Sequence, residues 1–223
     1  MGYLPIYIQV GGKPCLVVGG GAIAVRRIKA LLEAGAVVTA ISPKPPPELM
    51  TLVKNANITL LTREYRDGDM ASSVLVFAAT DDAALDERIS GEAARRRIPV
   101  NVADSPLLCS FIVPAVVKRG ELQIAISTGG ASPALSRHFR EELENRYGPE
   151  YGQMVEVLRA ARHWLRAEKI DPQHRAEKLS ALANSDIQVR LRDCDYAGAR
   201  EIVVQTLGGD VVDESELARI LEG

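Results

Sequence analysis

The run Cys15-Leu16-Val17-Val18-Gly19-Gly20-Gly21-Ala22-Ile23-Ala24 passes from an apolar stretch straight into glycines and then into a helical pattern. The chemistry suited to that order is the binding of a dinucleotide pyrophosphate. Gly19 can take a sharp strand-to-helix turn, Gly21 has no Cβ to keep phosphates from the backbone, and Ala24 lets the helix lie close to a sheet. The amides at this helix start, from Gly19 and Gly20 through Gly21, Ala22 and Ile23, would face an anion together with the positive end of the helix dipole. G-x-G-x-x-A alone is a weak pattern, because glycine turns are common. A strand before it and an amphipathic helix after it, with Ile28, Leu31 and Leu32 ending at Gly35, make it specific.

The acidic residue that holds the adenosine ribose, due about twenty positions later, is missing. The second strand, Val37-Val38-Thr39-Ala40-Ile41, runs into Ser42-Pro43-Lys44 instead. Ser42 suits a ribose hydroxyl and Lys44 a ribose phosphate, so the pair fits NAD and NADP alike, and it equally fits a polar turn before Pro45-Pro46-Pro47.

These residues need a parallel sheet to position them. A short helix around Glu48 to Lys54, a strand at Ile58 to Leu61, a strand at Val74 to Ala78, a helix from Ala83 to Arg96 and a strand at Pro99 to Val102 continue the alternation. Alternating strands and helices imply right-handed crossovers, with ligands at the carboxyl ends of the strands. Thr80, Asp81, Asp82, Asn101 and Asp104 all fall at such ends. For Thr80, Asp81 and Asp82, capping of the following helix and contact with ribose or nicotinamide are both open readings. An aspartate after a strand, as Asp104 is, by itself reads as a turn or cap residue. Arg95-Arg96-Arg97 closes a helix, where positive charge complements the dipole.

From Phe111 the texture changes. Phe111 to Lys118 and Leu122 to Ser127, joined at Arg119-Gly120, read as an antiparallel strand pair; Ser132-Pro133 starts a helix that runs to about Tyr147. A two-stranded ribbon is seldom stable alone, so this segment is expected to complete its core against a second subunit, giving a homodimer. Beyond Glu150, Met154, Val157, Leu158, Ala161 and Leu165 recur at helical spacing, and further short helices follow Pro172. The fold expected is α/β: a Rossmann-like parallel-sheet domain over residues 1–112, a dimerisation segment of a strand pair plus helix over 113–149, and a small helical domain over 150–223.

Composition narrows the function classes. Across 223 residues, 47% hydrophobic and 25% charged content suits a soluble globular protein, and a net charge of -2 provides no electrostatic drive toward nucleic acid. No apolar run reaches the roughly twenty residues that span a bilayer, and the N-terminus lacks a basic segment followed by an apolar core, so no membrane is expected and the location expected is cytoplasmic. Cys15, Cys109 and Cys194 are too scattered for a disulfide framework or zinc site, as are His138, His163 and His174 for a metal site.

Tyr3-Leu4-Pro5-Ile6, Arg26-Arg27, Ala78-Ala79-Thr80-Asp81-Asp82, Asn101-Val102-Ala103-Asp104, Ser110-Phe111-Ile112-Val113-Pro114 and Ser127-Thr128-Gly129-Gly130-Ala131-Ser132-Pro133 together resemble the siroheme-synthase family over roughly the first two thirds of the chain. The resemblance implies an NAD-binding domain, a dimerisation segment and a helical C-terminal domain. It implies a reaction too: precorrin-2 oxidised to sirohydrochlorin by hydride transfer to NAD, with ferrous iron then inserted as a second substrate in bifunctional members. The methyltransferase module fused to some members is not expected here, since the sequence stops at Gly223.

On that resemblance Asp104 takes the family's functional aspartate position, as general base, as proton acceptor during metal insertion, or as anchor for the ring. Asn101 becomes a cofactor or substrate neighbour. The substrate carries acetate and propionate groups, so the loop of Ser127, Thr128, Gly129 and Gly130 reads as a carboxylate cradle. Arg119, Arg137, His138 and Arg140 adjoin it as candidate cations, although each arginine alone reads equally as part of a solvated helix face. Ser127 and Thr128 also read as modification sites or turn residues. Two competing readings remain: a nucleotide-sensing module without catalysis, and a chelatase of the same fold. No cluster of His, Cys and carboxylates has ligand spacing, though a chelatase needs only transient metal delivery.

Overall fold

The computed structural model describes residues 2–55 and 58–222, and the chain divides into two compact units, Met1–Val113 and Pro114–Gly223. In the first unit, β1 (Pro14–Val18), α1 (Ala22–Glu33), β2 (Val37–Ile41), α2 (Pro47–Asn55), β3 (Ile58–Leu61), β4 (Leu75–Ala78), α3 (Ala83–Arg96) and β5 (Val100–Val102) alternate along the chain. The strands form one parallel sheet in the order β3-β2-β1-β4-β5. Because side chains alternate across a strand, Cys15 and Val17 face one core, with Ala24, Ile28 and Phe77, while Leu16 and Val18 face the other, with Ile89 and Ala93. Burial on both faces explains why β1 and β4 read as continuous apolar runs. The strand order reverses between β1 and β4, and that reversal opens a crevice at their carboxyl ends.

Local chemistry sets the helix ends. Asp82 accepts from the amides of Ala84 and Leu85 at 3.0 and 3.2 Å and so caps α3, while Arg97 ends it in the left-handed region at φ 59°. Phe111, expected to open the strand pair, instead stays with the first sheet. The Asn101 amide donates to Phe111 O at 3.0 Å, and the Phe111 ring stands edge-on to Phe77 with centroids 5.5 Å apart. The first strand of the pair therefore starts later, at Ala115.

A buried carboxylate braces the α3 face of the sheet. Glu92 accepts from the Tyr65 hydroxyl at 2.6 Å, the Gly68 amide at 2.9 Å and Arg96 Nε at 2.6 Å. Burial pulls its pKa upward, but the bonds from Tyr65, Gly68 and Arg96 outweigh that and hold it below the ordinary glutamate value. A depressed folded-state pKa adds stability above the unfolded value, about 4.3, and loses it as pH falls through the folded value. Glu92→Gln sets an N–H2 group against one of these donors and is expected to cost about 2–3 kcal/mol at pH 7. Urea unfolding across a pH series checks this: the gap between wild type and variant should narrow below about pH 4.

In the second unit, β6 (Ala115–Arg119) and β7 (Leu122–Ile126) form an antiparallel hairpin, followed by α4 (Pro133–Arg146), α5 (Glu150–Ala167), α6 (Pro172–Ala183), α7 (Ile187–Arg192), α8 (Tyr196–Leu207) and α9 (Glu214–Glu222). Val157, Ala161 and Leu165 of α5 join Leu182, Ile187, Val203 and Leu217 in one core. Gly152 lets α5 approach the hairpin closely, since a Cβ there would come within 3.1 Å of Arg119 O. Arg119 does not project as a free cation. It donates to Tyr147 O at 2.8 Å and Glu144 O at 2.9 Å, closing the carbonyl end of α4. Among the described residues, no helix is long and apolar enough to cross a membrane.

Candidate active site

The glycine loop fills the turn between β1 and α1. Gly19 sits at φ +119°, and a Cβ there would lie 2.0 Å from Ala79 O in the segment leaving β4. The glycine is thus required by the neighbouring strand as well as by the turn. Gly20 faces Ser42: a Cβ would come within 2.6 Å of the serine Oγ. Gly21 is different. Beyond its chain neighbours, nothing among the described residues lies within 4 Å of the place a Cβ would take, and it caps α1 with no side-chain hydrogen bond and no acidic residue in the first turn. The amides and dipole of α1 are therefore left to an outside anion, with Ala22 and Ile23 opening the helix.

A cleft of about 400 Å³ lies in front of these amides. Its walls include Ser42 and Lys44 after β2, Thr80 and Asp81 after β4, and Glu64 and Tyr65 after β3. Ser42 is 3% exposed and packed on Gly20, whereas Lys44 is exposed and makes no ion pair among the described residues. Glu64 and Tyr65 were not foreseen. They reach the cleft because β3 pairs with β2, and the Ser42 amide donates to Leu61 O at 3.2 Å, a juxtaposition set by sheet register.

Thr80, Asp81 and Asp82 divide the roles left open by the sequence. Asp82 caps α3; the Thr80 hydroxyl bonds Asp86 Oδ1 at 2.8 Å and receives the Asp82 amide at 3.2 Å; Asp81 stays exposed on the cleft. Burial raises the Asp86 pKa, the Thr80 bond opposes that rise, and the nearby Asp82 and Asp81 charges add to it.

Asp104 follows β5, two strands along from the glycine loop, a separation of about 10 Å at ordinary strand spacing. It is exposed, has no hydrogen bond or ion pair among the described residues, and holds φ +57°, unusual for a residue other than glycine. Asp104 is not among the walls of the glycine cleft, and neither is Asn101, whose amide is engaged by Phe111 O.

The remaining candidates belong to the second unit. Ser127 Oγ receives the Gly129 amide at 3.1 Å, and Thr128 Oγ1 receives the Ser132 amide at 3.0 Å, so the two hydroxyls shape the loop from within. Gly129 and Gly130 turn it at φ +64° and +88°. Arg137 and His138 are exposed on α4, with the His138 ring 6.1 Å from that of Phe139. Arg140 is paired with Glu144 at 2.6 Å.

Residues 6–115 match a family of NAD(P)-binding domains, and residues 119–146 match the central region of sirohaem biosynthesis proteins. The siroheme synthase of Pseudomonas aeruginosa (strain LESB58) is 38% identical over 209 residues, covering 94% of this chain and 45% of that protein. The siroheme synthase of Methylobacillus flagellatus is 44% identical over 152 residues, 68% of this chain and 32% of its own length. The chain thus spans less than half the length of these curated relatives. A solved structure of SirC, precorrin-2 dehydrogenase, superposes with a TM-score of 0.73 at 27% identity, covering 92% of this chain and 98% of that one. Over the part it shares with these relatives, the chain is similar to siroheme synthases, with an NAD(P)-binding region followed by a sirohaem-biosynthesis central region.

Proposed function

We propose that the protein is an NAD-dependent dehydrogenase that oxidises precorrin-2 to sirohydrochlorin in siroheme biosynthesis. The observation that carries this reading is the likeness to the precorrin-2 dehydrogenase SirC along almost the whole of both chains. The residues fit the cofactor: the α1 amides are unclaimed by any side-chain cap, and the space in front of Gly21 is open. Gly19 to Ile23 would hold the pyrophosphate, Ser42 and Lys44 the adenosine ribose, and Thr80 and Asp81 the side toward β4.

Bound NAD supplies the acceptor for the hydride that leaves the macrocycle, and is itself reduced to NADH. A proton leaves with the hydride, and Asp104 takes it and passes it to water. Asn101 steadies the strand end that carries this aspartate. The loop Ser127 to Gly130, with Arg137 and His138, receives acetate and propionate groups of the ring. Residues 1–112 hold the cofactor on this reading, 113–149 join two copies into a homodimer, and 150–223 form the helical domain. The exposed Val116, Leu135 and Phe139 give the hairpin and α4 apolar surface for such a contact. The location that goes with this chemistry is the cytoplasm.

Incubation of the protein with precorrin-2 and NAD should yield NADH and sirohydrochlorin in equal amounts, followed by absorbance. Nucleotide binding with no turnover by folded protein would point to a sensor and end the dehydrogenase reading. Ferrous iron enters as a further substrate, because a carboxylate with no bonded partner among the described residues, as at Asp104, can also take protons from ring nitrogens. Adding Fe2+ to sirohydrochlorin without NAD reads that step separately.

A further inference from the structure

β5 is three residues long and lies at the edge of the sheet, so the outward N–H and C=O groups of Val100 and Val102 have no strand to pair with. The segment that follows β5 takes its place. Ser110 Oγ receives the Val100 amide at 2.8 Å, and the Ser110 amide donates to Val100 O at 2.9 Å. Cys109 does the equivalent for Val102: its sulfur receives the Val102 amide at 3.1 Å, and its S–H lies 3.2 Å from Val102 O and 3.3 Å from Ser105 O. The Asn101 amide approaches the same sulfur at 3.5 Å.

Val102 and Ser105 flank the turn that presents Asp104. The thiol therefore bridges the two ends of that turn, donating its one proton between two carbonyls and accepting from the amides. One longer backbone bond spans the same turn, from the Ser105 amide to Val102 O at 3.4 Å, and others hold the surroundings: the Ala103 amide donates to Ala78 O at 2.8 Å, the Leu108 amide to Ser105 O at 3.0 Å, and Ser90 Oγ on α3 to Leu108 O at 2.8 Å. Asp104 itself is exposed, unbonded and left-handed at φ +57°. A side chain with no bonds of its own is aimed by its backbone alone, and here the backbone on both sides is tied to one sulfur.

We propose that Cys109 is a positioning residue for Asp104, its half-buried thiol fixing the turn from which the carboxylate reaches the substrate. This rests on the reading of Asp104 as the proton acceptor.

The test compares kcat with precorrin-2 and the NAD dissociation constant in Cys109→Ala, Cys109→Ser, Asp104→Asn and the double variant Cys109→Ala/Asp104→Asn. Cys109→Ala should lower kcat by about tenfold to a hundredfold, the scale of a displacement near 1 Å. NAD affinity should hold within about threefold, since the glycine loop lies on another strand. A hydroxyl keeps both the donor and the acceptor, so Cys109→Ser should recover most of the rate. The double variant should be no slower than Asp104→Asn alone, because a turn that no longer carries a reacting group has nothing to aim. Should Cys109→Ala fail to fold, Cys109→Val fills the space without a hydrogen bond and carries the same expectation. If Asp104→Asn is slow while the Ala or Val variant keeps wild-type kcat, or if the Ser variant falls as far as Ala, the positioning role is overturned. Full rate in Asp104→Asn would instead overturn the reading of Asp104.

Discussion

Gly21→Ala is expected to weaken NAD binding about tenfold to a hundredfold while leaving the fold intact, and Gly19→Ala is expected to destroy the fold itself. The two glycines differ in what surrounds them. At Gly21 the backbone is extended, at φ -66° and ψ 177°, a conformation any residue adopts, and beyond its chain neighbours no atom of the described residues lies within 4 Å of a new methyl group. Unfolding free energy should therefore change by no more than about 1 kcal/mol, yet the methyl would stand between the α1 amides and the pyrophosphate. At Gly19 a methyl would meet Ala79 O at 2.0 Å and Ala79 C at 2.7 Å, with φ at +119°. That carbonyl has little room to retreat, because the Ala79 amide is bonded to Val18 O at 2.8 Å. Overlap and backbone strain together should exceed about 4 kcal/mol, a large share of the roughly 5–15 kcal/mol that holds a domain folded. Urea unfolding and nucleotide titration of both variants separate the effects. Equal loss of stability in both would refute the assignment of Gly21 to the ligand.

The contrast shows what a linear chain can and cannot display. The turn, its strand and its helix were legible because each is local: apolar residues run to Val18, glycines follow, and Ile28 and Leu31 recur on one helical face. The cap at Ser132 was legible for the same reason, since a cap lies within three residues of the amides it serves, whereas among Thr80, Asp81 and Asp82 the choice between capping and ligand contact stayed open until the structure placed Asp82 on the α3 amides. Positions fixed by sheet register were not. Glu64 and Tyr65 reach the cleft only because β3 lies beside β2, and no spacing in the sequence carries that. The contact of Gly20 with Ser42 and that of Gly19 with Ala79 are likewise products of strand order. Phe111 was read as strand because its neighbours are apolar, but its carbonyl is claimed by Asn101 across the edge of the sheet. No acid follows β2 in the chain, yet carboxylates reach the same cleft as Glu64 and Asp81 from other strands.

Asp104→Asn is expected to lower turnover of precorrin-2 by about a hundredfold to ten-thousandfold, the range for losing a general base, with NAD affinity within about threefold of wild type. Asparagine is the informative choice because of the backbone. At φ +57° a residue with an ordinary Cβ is strained, whereas asparagine and aspartate adopt this region more readily than most. Asp104→Ala would mix strain in the turn with loss of the carboxylate; Asp104→Asn removes only the charge and the ability to take a proton. Among the described residues the aspartate has no hydrogen-bonded partner to leave unsatisfied, so thermal stability should be unchanged within error. A slow variant with wild-type stability and wild-type nucleotide affinity is the pattern of a lost chemical step. A fast variant would move the proton acceptor elsewhere, and the exposed Asp81, which lines the cleft after β4, would be the next carboxylate to replace.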